Sequence, residues 1–286
     1  AGDEVLVPSP DYPLWTAAVV LNGGVAKHYE CPVDNDFVPR AADLEKLITA
    51  KTRAIVVINP NNPSGAVYDK ETLTDIARLA EKHGLVVLAD EIYDQMVYDD
   101  AVFVPLATLV EDSVCLTYSG LSKVYRACGY RVGWCAFSGD VERAAELIHS
   151  MELLSALRLC ANVPGQWAVQ TALGGFQSIR DLVSPGGRLY QSRETIVERV
   201  AQSPYLHMST PRGAMYAFIR LDERFLGKLD DQQFALELLE NKHVLVAPGS
   251  SFNTPYTDHF RITSLPDSAT LNIVFDRVED LLEQHA

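Results

Sequence analysis

No uninterrupted apolar run in this sequence reaches the ~18 residues that a membrane-crossing helix needs. The opening residues, AGDEVLVPSP, carry neither a basic patch nor a cleavable apolar stretch, so no secretory signal is expected there. Lysine- and arginine-rich runs are missing too, and the formal net charge is −14. Nucleic-acid backbones bind clustered positive charge, which excludes them as partners. The five cysteines, Cys31, Cys115, Cys128, Cys135 and Cys160, include no C-x-x-C pair. Odd in number and scattered, they read as reduced thiols, mostly core fillers, of a cytoplasmic protein. No G-x-G-x-x-G follows an apolar run, which excludes a nicotinamide-dependent dehydrogenase. Internal repeats and low-complexity tracts are absent as well.

What is present is an ordinary globular composition over 286 residues, 48% of them hydrophobic. A chain of this length buries roughly three-quarters of its unfolded surface in one or two domains. Its first half alternates short β-branched runs with amphipathic ones. EVLVP (4–8), AIVVIN (54–59), GLVVLADE (84–91), SVCLTYS (113–119) and RVGWCAF (131–137) read as strands. Continuous Val, Ile and Leu without polar alternation marks strands buried on both faces, the parallel kind. RAADLEKLIT and KETLTDIARLAEKHG show helical spacing, the second with Asp69 as N-cap and Gly84 just past its end. Strand–helix alternation of this kind predicts an α/β fold, a mostly parallel sheet sandwiched by helices. Beyond residue 140 the pattern turns to helices, then strand AMYAFIRL, helix DQQFALELLENKH, strand HFRITSL and a last helix over 268–284. We therefore expect a larger unit over 1–187 and a smaller α+β unit over 188–286. A strand beginning within five residues of Ala1 also implies that the chain starts inside a domain, its N-terminal segment missing.

In open α/β sheets ligands bind beyond the carboxyl ends of the strands. Three predicted strand ends deliver NPNNPSG with Asn62, ADEIYD with Asp90 and Tyr93, and SGLSK with Lys123 to one rim. Singly, each has a plain explanation. Asn, Pro and Gly dominate turns, Asp90 could cap the following helix, and a lysine at a strand end is usually solvated. Together, an amide, an acid, a phenol and an amine share a use in binding pyridoxal phosphate. A lysine amine forms a Schiff base with a carbonyl, and an Asp partner at the ring nitrogen keeps that nitrogen protonated. Tyr93 and Asn62 could then donate hydrogen bonds to the ring's 3-oxygen, and Arg131 offers a fork of donors suited to phosphate.

NPNNPSG, ADEIYD, SGLSKVYRACGYRVGW and HFRITSLP, in that order, resemble the fold-type I, class I pyridoxal phosphate aminotransferases over essentially the whole chain. Within that family GDEVLVPSPDYPLWTA, LRLCANVP, QTALGG and PGGRLY look most like the bacterial alanine (glutamate–pyruvate) aminotransferases. The resemblance implies that Lys123 holds the cofactor and, once freed by substrate, moves the proton. Asp90 would pair with the pyridine nitrogen, and Asn62 and Tyr93 with the 3-oxygen. Arg131 would take the phosphate, with Ser119 or Ser122 assisting. Tyr12 would stack on the ring, and Arg261 would clamp the substrate α-carboxylate beside Asn62 in a bidentate pair. Gly120 stands where many relatives have a serine, three residues before the lysine.

The family's upstream segment, which carries a phosphate-cradling helix N-terminus and an arm closing over the substrate, is not in this sequence. A polypeptide starting at Ala1 is expected to retain cofactor weakly, and a longer one to be active. The implied reaction moves an amino group between amino acids and 2-oxo acids: alanine with 2-oxoglutarate, pyruvate with glutamate. Arg126 and Arg158 are candidates for the second carboxylate, with surface or phosphate-side roles as their alternatives. LRLCANVP implies a homodimer. No metal site is expected. Two other functions stay open, a β-eliminating C–S lyase on the same cofactor and a non-catalytic aminotransferase-like ligand-sensing module.

Overall fold

The computed structural model describes residues 1–286. Its larger sheet has six strands, β1 (Glu4–Ser9), β2 (Val25–Glu30), β3 (Thr52–Ile58), β4 (Val86–Asp90), β5 (Val114–Gly120) and β6 (Gly133–Gly139), in the order β2-β1-β3-β4-β5-β6. All neighbours are parallel except β5 and β6, which run antiparallel. The apolar run at 131–137 led us to expect a parallel strand. A parallel return needs a crossover, usually helical, whereas residues 121–132 hold only a single 3₁₀ turn and fold straight back.

The sequence reading passed over α1 (Leu14–Leu21) and β2. Helix α1 buries none of its residues, and β2, at the sheet edge, buries only Tyr29. Neither therefore shows the apolar periodicity of a core element. Helix α2 (Ala41–Glu45) is shorter than its apolar spacing suggested. Helix α3 (Lys70–His83) follows its sequence signals closely. The Asp69 carboxylate accepts the Thr72 amide at 2.8 Å, and Gly84 leaves the helix at φ 64°. Its Leu73, Ile76, Ala77 and Ala80 lie buried against Leu6, Ile55, Val57 and Val87 of the sheet. Each large aliphatic side chain buried there contributes about 1.5–3 kcal/mol.

Helices α4 (Ala145–Arg158), α5 (Val163–Gly174) and α6 (Ile179–Val183) follow β6, and α7 (Arg188–Gln202) leads into a second sheet. That sheet has strands β7 (Leu206–His207), β8 (Tyr216–Leu221), β9 (Ala247–Pro248) and β10 (His259–Thr263), in the order β7-β8-β10-β9, all antiparallel. Helices α8 (Asp231–Lys242) and α9 (Ser268–Glu283) cover it, with Phe234, Leu238, Phe275 and Leu282 in its core. No helix is long and apolar enough to cross a membrane.

The two sheets meet at Gly65, directly after the 60–64 turn. Its carbonyl accepts the amides of Arg212 at 2.9 Å and Gly213 at 2.8 Å, and its φ is 73°. A Cβ there would stand 2.5 Å from Pro211 Cβ and 3.0 Å from the Tyr216 carbonyl oxygen. Left-handed backbone costs a non-glycine residue ~1–2 kcal/mol before any collision is counted. Gly65→Ala is therefore expected to lower unfolding stability by at least about 2 kcal/mol. An unchanged urea midpoint would show that the junction is slack.

Candidate active site

The register of the larger sheet builds the site. Asp90, the last residue of β4, pairs with Ile58 of β3 on one side and Tyr118 of β5 on the other. Residues leaving these three strands therefore emerge level with one another. The 60–64 turn brings in Asn62, the segment after β4 brings Tyr93, the end of β5 brings Ser119, and the segment after it brings Ser122 and Lys123. A cavity of about 470 Å³ opens there, and all six of these side chains, Asp90 included, line it. Tyr12, Arg131 and Arg261 complete it from elsewhere in the chain, so it collects every residue singled out for the cofactor and the substrate carboxylate. Arg126 and Arg158 are not among its lining residues. Arg126 faces a neighbouring cavity and donates to Ser178 Oγ at 2.6 Å, and Arg158 is exposed at the end of α4.

Asp90 is held from beneath. Trp15 Nε1 donates to its Oδ2 at 2.9 Å, and the Ile92 amide reaches its Oδ1 at a long 3.4 Å. Burial pushes its carboxyl above the ordinary range, against the pull of these two donors and, least of all, of Lys123. Two neutral donors and a distant amine leave an ionised carboxylate under-compensated, so this position suits a cationic N–H presented from the cavity. Trp15 was not foreseen from the sequence, although a half-buried indole N–H needs an acceptor and DYPLW places it three residues after Tyr12. Its ring also meets Tyr118 edge-on, centroids 5.3 Å apart.

Tyr12 is anchored by its neighbour. Asp11 is fully buried, accepts Thr16 Oγ1 at 2.6 Å and Asn253 Nδ2 at 2.8 Å, and donates its amide to the Phe252 carbonyl. A tie between the first strand and the second half of the chain thus fixes where the Tyr12 ring stands.

Arg261, on β10, reaches across from the smaller sheet. Its guanidinium lies between the rings of Tyr216 and Phe252, 4.4 and 4.8 Å from their centroids. Nη1 donates to Asn62 Oδ1 at 2.9 Å, while the buried Nε has no partner within the chain. Burial lowers its affinity for its proton, yet from a starting value of 12.5 the group keeps its charge. A planar cation with one edge spoken for and donors to spare suits a carboxylate. Tyr93 is buried, and its hydroxyl sits 3.0 Å from that of Tyr216. Burial, and next the Tyr216 oxygen, drive its ionisation far above the usual phenol range, so it stays a neutral donor. Arg131 is exposed, takes φ 52° at the end of a 3₁₀ turn, and donates from Nη1 to the Cys128 carbonyl at 2.8 Å. The cavity can thus hold a flat, anionic heteroaromatic ring with a protonated nitrogen at one end, next to a carboxylate-bearing substrate. No group of three or more His, Cys, Asp or Glu is arranged to hold a metal ion.

A level set of parallel strand ends that gathers a lysine, an acid and an arginine fork defines an α/β enzyme-like scaffold with an anion-binding site. Comparison with known proteins narrows this. The profile of "Aminotransferase class I and II" matches residues 1–278, and the chain belongs to that family. It is 50% identical over 281 residues to the alanine aminotransferase of Mycobacterium tuberculosis H37Rv, covering 98% of this chain and 66% of that protein. It is 48% identical over 266 residues to the glutamate-pyruvate aminotransferase AlaA of Escherichia coli K12, covering 93% of this chain and 66% of that protein. The chain thus spans just under two thirds of the length of these curated relatives. An aminotransferase structure from Escherichia coli superposes with a TM-score of 0.96 at 46% identity, over 99% of this chain and 70% of that one. The alanine aminotransferase of Pyrococcus furiosus superposes with a TM-score of 0.93 at 36% identity, over 99% and 71%.

Glu91, beside Asp90, was also overlooked in the sequence. It is buried and accepts the Leu106 amide at 2.8 Å, pinning the far end of the loop that carries Tyr93. Burial pushes its carboxyl from 4.5 up to about 7. Because the folded value lies above the unfolded one, the folded protein holds this proton between about pH 4.5 and 7 while the unfolded chain releases it. Stability from Glu91 is therefore full below that window and is lost as pH rises through it. Gln keeps the acceptor without the charge. Glu91→Gln is expected to match the parent below the window and exceed it above by roughly 1–3 kcal/mol. Denaturation curves that run parallel across the whole window would refute this account.

Proposed function

We propose that the protein is a pyridoxal-phosphate-dependent aminotransferase whose substrates are alanine with 2-oxoglutarate and pyruvate with glutamate. The observation that carries this is the cavity itself, where Lys123 and Asp90 face one space and Arg261 enters it with unpaired donors. The names of the relatives at 48–50% identity support the choice of alanine.

Bound pyridoxal phosphate would supply an electron-accepting ring next to the substrate Cα. Lys123 is the amine that would hold it and, once free, would act as the base beside the substrate Cα. Asp90 would stabilise the protonated ring nitrogen, a pairing that would also relieve its own burial. Tyr93 and the Asn62 amide would donate to the ring 3-oxygen, Tyr12 would cover the ring face, and Arg131 with Ser119 and Ser122 would take the phosphate. Arg261 orients the substrate by its α-carboxylate, so that the Cα–H bond stands where Lys123 can reach it. We assign 1–187 as the cofactor-binding unit and 188–286 as the smaller unit, which contributes the carboxylate clamp. Five free cysteines support a reducing, cytoplasmic setting.

We further infer a homodimer. Helices α4 and α5 and the link between them leave Leu154, Leu157, Leu159 and Trp167 66–83% exposed, an apolar surface large for a lone molecule. Sedimentation of the purified protein is expected to give twice the monomer mass, and a persistent monomer at micromolar concentration would contradict this.

Protein supplied with pyridoxal phosphate should show a visible absorption band that alanine bleaches, and should convert alanine and 2-oxoglutarate to pyruvate and glutamate. Lys123→Ala should retain no borohydride-fixable cofactor and lose at least about 10²-fold in turnover. Ammonia released from cystathionine instead of amino transfer would indicate the lyase. A protein that stays colourless with added cofactor would sink the proposal.

A further inference from the structure

Tyr216 opens β8, lies buried, and lines the cavity between the two halves of the site. Its ring supports the Arg261 guanidinium at 4.4 Å, and its hydroxyl meets that of Tyr93 at 3.0 Å with the two rings edge to face. Each phenol has one proton to give. If Tyr93 donates to Tyr216, it has none left for anything in the cavity. If Tyr216 donates to Tyr93, the Tyr93 proton is free to face the cavity.

The surrounding charges choose between these two arrangements. A cation over the face of Tyr216 draws electron density from its ring, which makes its O–H the better donor of the pair. Tyr93 stands three residues from Asp90, whose carboxylate raises the proton affinity of its oxygen more than Arg261 lowers it, and so suits that oxygen to accept. We propose that Tyr216 is a positioning residue that donates its proton to Tyr93, and so directs the Tyr93 proton at the cofactor's 3-oxygen. The chain Arg261–Tyr216–Tyr93 then couples the carboxylate clamp to the cofactor ring. Hydrogen bonds arranged in series polarise one another, so the terminal donor is strengthened.

This inference rests on the cofactor reading above, and its test needs no turnover. A hydrogen bond donated to the ring 3-oxygen draws charge away from the neighbouring nitrogen that joins the cofactor to Lys123, and favours loss of the proton there. Weakening that bond raises the pH midpoint at which the visible band changes.

In substrate-free protein loaded with pyridoxal phosphate, Tyr93→Phe should raise the midpoint by about one pH unit or more. Tyr216→Phe should raise it by roughly 0.3–1 pH unit. The double variant should titrate like Tyr93→Phe alone, because Tyr216 acts through Tyr93. A Tyr216→Phe midpoint equal to or below the parent's would overturn the proposal. So would a second, additive rise on the Tyr93→Phe background, since a role in packing alone would act without Tyr93. A parent with no visible band would instead overturn the cofactor reading, and this inference along with it.

Discussion

A carboxylate at the end of an apolar strand gives up most of its hydration, and Asp90 recovers only part of it from the Trp15 indole and one long backbone contact. Desolvation of this kind costs several kcal/mol unless a charge partner returns it, and no cation of the chain stands close enough to do so strongly. The fold tolerates the deficit because β4 is held on both sides by parallel neighbours in fixed register. An acid in a loop could swing out to water, whereas one at the end of a central strand has nowhere to go. The site therefore stores a demand for positive charge on the side facing the cavity.

The second half of the site depends on a different device. Arg261 crosses from the smaller sheet and is fixed by two aromatic faces and one amide rather than by an acid. An acidic partner would have held the guanidinium just as firmly, but would have neutralised the charge that it now presents to the cavity. Aromatic faces position a cation while leaving its hydrogen-bond donors free. The same reasoning explains Asn62, whose oxygen orients Arg261 while its amide group keeps two protons to give.

Much of this arrangement could be read from the chain. Asp69, Gly84 and the apolar stripe of α3 mark that helix with local chemistry alone, and the central strands announce themselves as unbroken aliphatic runs. Asn62, Asp90, Tyr93 and Lys123 were legible because each lies at the end of such a run or within four residues after it, where topology puts chemistry. The side chains that hold them in place were not. Trp15, Asp11, Tyr216 and Glu91 act through contacts 75, 242, 123 and 15 residues away in sequence, and no periodicity records a partner at that distance. Helix α1 and edge strand β2 escaped for the opposite reason, since elements that bury almost nothing carry almost no pattern. The antiparallel turn of β6 was misread because its residues look like those of a parallel strand, and only the short link before it shows the direction.

The charge of the chain as a whole runs against a site for anions, since −14 repels a phosphate and a dicarboxylate alike. Distance resolves the conflict. In physiological salt, fields from exposed charges fade within a Debye length of about 8 Å, so the acidic surface contributes little inside the cavity. What a bound anion meets there is Lys123, Arg131 and Arg261 against a single acid, Asp90. Arg131 is exposed and its pull is diluted by water, whereas Arg261 is screened far less, because rings rather than solvent surround it. An acidic exterior raises the electrostatic cost of approach for a polyanion, whereas the arginine between two rings keeps a free donor that suits a small carboxylate inside the cavity.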